Sequence, residues 1–273
     1  MGTEPVGLFI NTKNSVYVAA RTLDLVQIWL QGDSTPSSTI SGGLNKSFSV
    51  FVTIGGDVYV DNSDANGRVD KWTPNATSSV PAMYVSGTCY HIFVNYYDDV
   101  YCSLGDQHRV VRRLFIDSPN ITTTVAGSNT SGNASNMLSN PRGIFIKDSS
   151  LYIADSGNDR IQLYQSVPSS VKTVAGSGAA GTIKLVAPSG VIVDGDGHLF
   201  IADYGVHRII GSGANGFRCI AGCSGMNGSE SNQLNGPTRL SFDSGGNFYV
   251  VDSLNSRIQK FMLANNLCGK CLL

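Results

Sequence analysis

Residues 151–164 read LYIADSGNDRIQLY, and the phrase returns as LFIADYGVHRII from residue 199 and as FYVVDSLNSRIQKF from residue 248. A phrase recurring every few tens of residues marks an architecture in which each copy is one supersecondary unit. Its aromatic anchor can be followed through weaker copies as Tyr17, Tyr59, Tyr101, Tyr152, Phe200 and Tyr249, at intervals of 42, 42, 51, 48 and 49 residues. Three residues after the anchor stand Asp155, Asp203 and Asp252 in the last three copies, against Ala20, Asn62 and Leu104 in the first three. Eight residues after it stand Arg109, Arg160, Arg208 and Arg257; Arg68 is one place late, and Leu25 replaces the arginine in the first copy. Six copies are present.

Within a copy the apolar residues alternate with period two, as in Ile144, Ile146, Leu151 and Ile153, and Gly, Asn, Asp and Ser clusters separate the runs. This is the pattern of strands joined by tight turns. The best-preserved copy parses into strand a at 143–147, strand b at 151–155, strand c at 160–164 and, after a polar link, strand d at 172–176. Four antiparallel strands make one blade, and radial packing of six blades protects the edges that a lone sheet would expose. The expected fold is all-β, a single six-bladed β-propeller domain over residues 1–273. Its blades fall near 6–45, 46–86, 87–127, 140–177, 187–222 and 236–273.

The order of a Gly-apolar strand, LYIADSGNDRIQ and TVAG resembles the NHL repeat, most closely at 141–176, 188–222 and 237–261. The wording is similar to that of multi-copy NHL proteins of invertebrates. The resemblance implies the same six-bladed propeller, with ligands on the face that carries the b–c turns and d–a links.

The formal charge is −1 with 14% charged residues, so the composition carries no electrostatic footprint for a polyanion. No apolar run of 18 residues occurs, and MGTEPVGLF lacks the basic and apolar regions of a signal peptide. Six cysteines and six Asn-x-Ser/Thr sequons, at Asn45, Asn75, Asn120, Asn129, Asn133 and Asn227, nevertheless point to an oxidising, extracellular compartment. Cys89 and Cys102 lie on neighbouring arms of one hairpin, and Cys219 and Cys223 bracket the end of a strand d, so each pair is expected to be bridged. Cys268 and Cys271 form CGKC near the C-terminus; a redox or zinc role for such a motif needs a βαβ context or a second ligand pair.

Asp155 with Arg160, Asp203 with Arg208 and Asp252 with Arg257 are five apart across a b–c turn, where the carboxylate can accept turn N–H groups and face the guanidinium. Because the pair repeats, it reads as structural: an active site needs different residues in different blades. Asymmetry is the better guide to function. The residues that open strand a toward the channel mouth are Gly7, Ser49, His91, Gly143, Gly190 and Arg239. With Tyr90 and Arg142 beside them and His108 and His207 on b–c turns, His91 and Arg239 form a candidate rim for a carboxylate, a sugar or a peptide.

The family resemblance also admits a metal-dependent lyase or hydrolase and an RNA-binding domain. NHL-like and related propellers include a peptidyl-amidating lyase with channel zinc and calcium-dependent lactonases. Only His91 of the four histidines falls at an inner strand position, and DGDG (194–197) and DSGG (243–246) read as hairpin turns. An RNA-binding NHL domain needs a basic face, and three of the five candidate arginines already have acidic partners. The expectation is therefore a noncatalytic binding or scaffold propeller that recognises a protein, peptide or glycan through its top face. It has no catalytic residues, cofactor, metal, nucleic-acid partner or membrane span, and is a monomer or part of a longer chain. Long Gly, Ser and Asn links at 127–140, 176–187 and 222–236 should wall one half of the face, with Asn129, Asn133 and Asn227 in the wall. The last blade is expected to take its strand d from residues 263–273.

Overall fold

The computed structural model describes residues 4–62, 67–166 and 169–262. Those residues form a six-bladed β-propeller with antiparallel blades. The best-conserved phrase becomes the fourth blade, whose strands a to d are Pro141–Lys147, Ser150–Asp155, Arg160–Ser166 and Ser169–Gly176. Its outer hairpin runs longer than the alternation of apolar residues indicates, because the polar link joins the ladder through the Gln165–Ser170 and Ser166–Ser169 pairs. The first, second, third and fifth blades also have four strands, and the sixth has three among the described residues: Pro237–Phe242, Phe248–Asp252 and Arg257–Phe261. A strand d at 263–273 lies outside the described residues.

Each blade packs on its neighbours through both faces, so strands such as Val58–Asn62 and Val100–Leu104 are buried along their whole length. The consequence is six buried clusters, one per interface. That between the fourth and fifth blades gathers Ala154, Ile161, Ala175, Val191, Ile201 and Ile210. The sixth cluster joins Leu8, Ile10 and Val18 of the first blade to Val251 of the sixth. The inner strands of these two blades touch, and Ser244 N–H donates to Asn14 Oδ1 at 2.8 Å. The ring thus closes face to face, with a first blade built wholly from residues 5–40.

Among the described residues, the b–c turns of the first, third, fourth, fifth and sixth blades are single 3-10 turns that end in a left-handed residue: Asp24, His108, Asp159, His207 or Ser256, with φ between 52° and 55°. Both expected disulfides are formed, Cys89–Cys102 with Cα atoms 5.5 Å apart and Cys219–Cys223 with 5.6 Å. The first closes a loop of 13 residues and the second a loop of 4. Chain-entropy arguments assign about 3 and about 2 kcal/mol to loops of these sizes. Non-reducing peptide mapping should recover both pairs, and reductant should lower the melting temperature by roughly 10 °C. No helix among the described residues is long and apolar enough to cross a membrane.

Candidate functional site

The d–a links entering blades four, five and six occupy residues 128–140, 177–187 and 222–236; those entering blades two and three occupy only 41–49 and 85–88. The long links are held by the repeated pairs. Arg160 Nε donates to Asp155 Oδ2 at 2.7 Å, and its other nitrogens donate to the carbonyls of Asn133, Ala134 and Met137, each at 2.9 Å. Arg257 bonds Asp252 at 2.6 Å and grips Ser229, Glu230 and Gln233 in the same way. Arg208 bonds Asp203 at 2.9 Å and reaches Lys184.

The carboxylates do not cap their own turns through backbone N–H groups. Asp155, Asp203 and Asp252 accept N–H groups of the link that enters their blade, from Ser139, Val186 and Asn235 at 2.6–2.8 Å. Burial pushes the carboxyls of Asp155 and Asp203 up against the opposing pull of these donors and of the paired arginines.

The next N–H along each link is taken by the preceding blade. His108 Nδ1 accepts from Asn140 at 3.1 Å and His207 Nδ1 from Gly236 at 3.0 Å. Asp24 and Asp159 do the same for Lys46 and Ala187, both at 2.7 Å. His108 and His207, expected on the rim as ligand contacts, thus occupy positions where other blades use aspartate, and they act as acceptors that bracket one blade to the next. The sequence contains a signal for the link that the reading of it passed over. Leu138, Leu185 and Leu234 each stand three residues before a proline, are buried, and cover Gly127, Gly176 and Gly222, which end or directly follow the preceding strand d.

Arg239 and His91 lie on opposite blades. Arg239 is buried, and its guanidinium crosses the channel to donate to the Tyr90 carbonyl, while Nη1 donates to the carbonyls of Ser189 at 2.8 Å and Thr238 at 2.9 Å. His91 Nδ1 accepts the Ile144 N–H at 3.0 Å. The other members of the ring are small, and Cβ atoms at Gly143 and Gly190 would come within 2.8 Å of neighbouring backbone. One large side chain therefore spans the space that four small residues leave.

At the mouth, Arg21, Phe48, Tyr90 and Arg142 stack in series across four blades: Arg21 lies 4.2 Å from the Phe48 ring centre, the two rings are 5.0 Å apart, and Arg142 lies 3.8 Å from the Tyr90 ring centre. Below the ring, Phe9, Phe51, Phe93 and Phe145 form an aromatic staircase with centres 4.7–5.3 Å apart.

Burial, then the nearby Arg239 charge, holds the His91 imidazole well below its usual range. The native state refuses a proton that the unfolded chain accepts below about pH 6.5, so stability is lost as pH falls from there toward the folded value. His91→Gln, which keeps an acceptor for Ile144, should melt with a shallower pH dependence between about pH 6.5 and 5 than the native chain.

The opposite face carries a cleft of about 890 Å³ between the third and fourth blades. Its floor is Phe93, Tyr101 and Tyr164, and the hairpin turn 95–99 overhangs it with Tyr96 and Tyr97, which are 89% and 74% exposed. Arg112, Asp148 and Gln165 add polar groups to its walls. The rim residues singled out by the sequence are all on the other face, so the reading missed this cleft; the Asn-Tyr-Tyr-Asp-Asp turn, with two adjacent tyrosines at a hairpin tip, was its signal. On the same face, Asp194, Asp196 and His198 have ligand atoms within 4.8 Å of one another. Asp194 spends its oxygens on the N–H groups of Asp196 and His198 and on His198 Nδ1, as a hairpin turn requires.

The NHL repeat family model matches residues 234–261, which run from the last link through strand c of the sixth blade. The chain is a propeller of the NHL type. No curated protein sequence matches this NHL propeller. Among solved structures it is similar to a catalytically inactive virginiamycin B lyase from Staphylococcus aureus with quinupristin, at 14% identity and a TM-score of 0.65, over 97% of this chain and 83% of that one. It is also similar to an auxiliary nutrient binding protein from Bacteroides thetaiotaomicron, at 17% identity and a TM-score of 0.72, over 95% of this chain and 69% of that one. A luciferin-regenerating enzyme matches at 12% identity and a TM-score of 0.62, over 92% and 84% of the two chains. At such identities the likeness is one of fold, and the fold carries both catalytic and binding proteins.

Proposed function

We propose that this NHL propeller is a noncatalytic extracellular binding module whose ligand is a glycan held in the cleft between the third and fourth blades. The observation that carries the reading is the cleft itself. Its volume lies within the range of small-molecule sites, its floor is aromatic, and a few polar groups converge on it. Tyr96 and Tyr97 are the reason for preferring a glycan. Solvent-facing rings offer flat apolar faces to pyranose C–H groups, while Asp148, Gln165 and Arg112 supply planar hydrogen-bonding groups for hydroxyls. On the top face, by contrast, Arg239, His108 and His207 are engaged in holding blades together, which leaves Tyr90 and Arg142 as the accessible part of the expected rim. A nutrient binding protein among the structural neighbours fits this class of activity. The extracellular setting draws on the two disulfides and on sequons at exposed Asn75, Asn120, Asn129, Asn133 and Asn227, with Asn45 half-buried.

An array of neutral and acidic oligosaccharides, probed with the full chain, tests the proposal. Binding to a subset is expected. Stacking at about 1 kcal/mol per ring makes the Tyr96→Ala, Tyr97→Ala double variant weaker by tenfold or more, with an unchanged melting temperature. A silent glycan array beside a responsive peptide array would reassign the cleft to a peptide.

A further inference from the structure

We propose that the upper end of the central channel binds a small oxyanion, a carboxylate or an inorganic anion, between Arg239, Arg142 and His91. The groups that face one another there are cationic or donor groups, and one buried donor among them has no acceptor. Arg239 is 6% exposed and its Nε–H has no partner. Its remaining contacts are neutral carbonyls, and neither it nor Arg142 forms a salt bridge among the described residues. Asp106, the carboxylate that touches the stack, accepts from the Tyr90 hydroxyl at 3.3 Å. His91 adds a third donor: with Nδ1 committed to Ile144, the ring proton resides on Nε2. His91 is also the one member of the inner ring that is partly exposed, the other five being buried.

A buried guanidinium without a counter-charge is among the least favourable arrangements in a protein, and a second arginine beside it adds repulsion. Burial and Arg142 accordingly pull Arg239 down to about 9. An anion at this point would remove both penalties and accept the free Nε–H, in the way that Arg groups recognise carboxylate and phosphate elsewhere. The site lies on the opposite face from the glycan cleft and stands or falls independently of it.

The test is thermal melting of the full chain at fixed ionic strength while chloride is replaced stepwise by formate or by phosphate. A saturating rise of several degrees is expected in the native protein, and none in Arg142→Gln, whose side chain is partly exposed at the mouth. Formate alone would mark a carboxylate site, and phosphate an inorganic one. Arg239→Met should melt lower than the native chain in the effective anion and lose the response. A non-saturating response shared by native protein and Arg142→Gln, or an Arg239→Met variant of equal or higher stability that keeps the response, would overturn the site.

Discussion

Replacing Asp155 with alanine is expected to cost about 3 to 5 kcal/mol, the loss that follows when one partner is removed from a buried ion pair. In a domain of this size that lowers the melting temperature by on the order of 10 °C. Asp155 is fully buried, and the Arg160 side chain is 7% exposed. Without the carboxylate, Arg160 Nε, Asn158 Nδ2 and the Ser139 N–H lose their acceptor at once. The damage should spread into the link at 128–140, whose carbonyls Arg160 holds. Asp203→Ala should cost less, because the Arg208 side chain is 23% exposed and water can replace the lost partner. Thermal denaturation of the two variants side by side checks both the magnitude and the order.

Gly176→Ala is expected to cost at least as much, for a different reason. Gly176 has φ of 83°, and a Cβ there would lie 2.2 Å from the Asp159 carbonyl oxygen and 2.9 Å from the Arg160 Cα. Neither obstacle is the end of a flexible side chain, so strand d must detach locally or strand c must move, on top of the conformational strain itself. We expect a loss of about 3 kcal/mol or more. Gly197 supplies the control. Its φ is 90°, but nothing lies within 4 Å of a Cβ at that position, so Gly197→Ala should show the conformational term alone, about 1 to 2 kcal/mol. Equal losses at the two positions would show that the close approach at Gly176 is relieved without cost.

The contrast between these sites explains what could be read from the sequence. The blade count, the strand order and the Asp–Arg pairs were legible because they repeat: six anchors return at nearly constant spacing, and each position serves the same packing in every blade. The two disulfides were legible because both are local. Residues that act between blades were harder to recognise. His108 and His207 look like candidate ligands until they are aligned with Asp24 and Asp159, which accept the same N–H from the next link. Arg239 differs visibly from its equivalents in the sequence, yet its reach to Tyr90, 149 residues away and on the opposite blade, depends on the closed ring. The cleft beneath blades three and four depends on two neighbouring hairpins meeting, and no single copy of the repeat carries that information.

The most direct test of the binding account is hydroxyl-radical footprinting of the full chain, with and without an oligosaccharide that binds on the array. Tyr96 and Tyr97 lie at the cleft and Tyr90 at the upper mouth, so the tyrosines report separately on the two faces. Protection of Tyr96 and Tyr97 with Tyr90 unchanged is the expected result. Protection of Tyr90 with full labelling of Tyr96 and Tyr97 would contradict it and return the ligand to the top face.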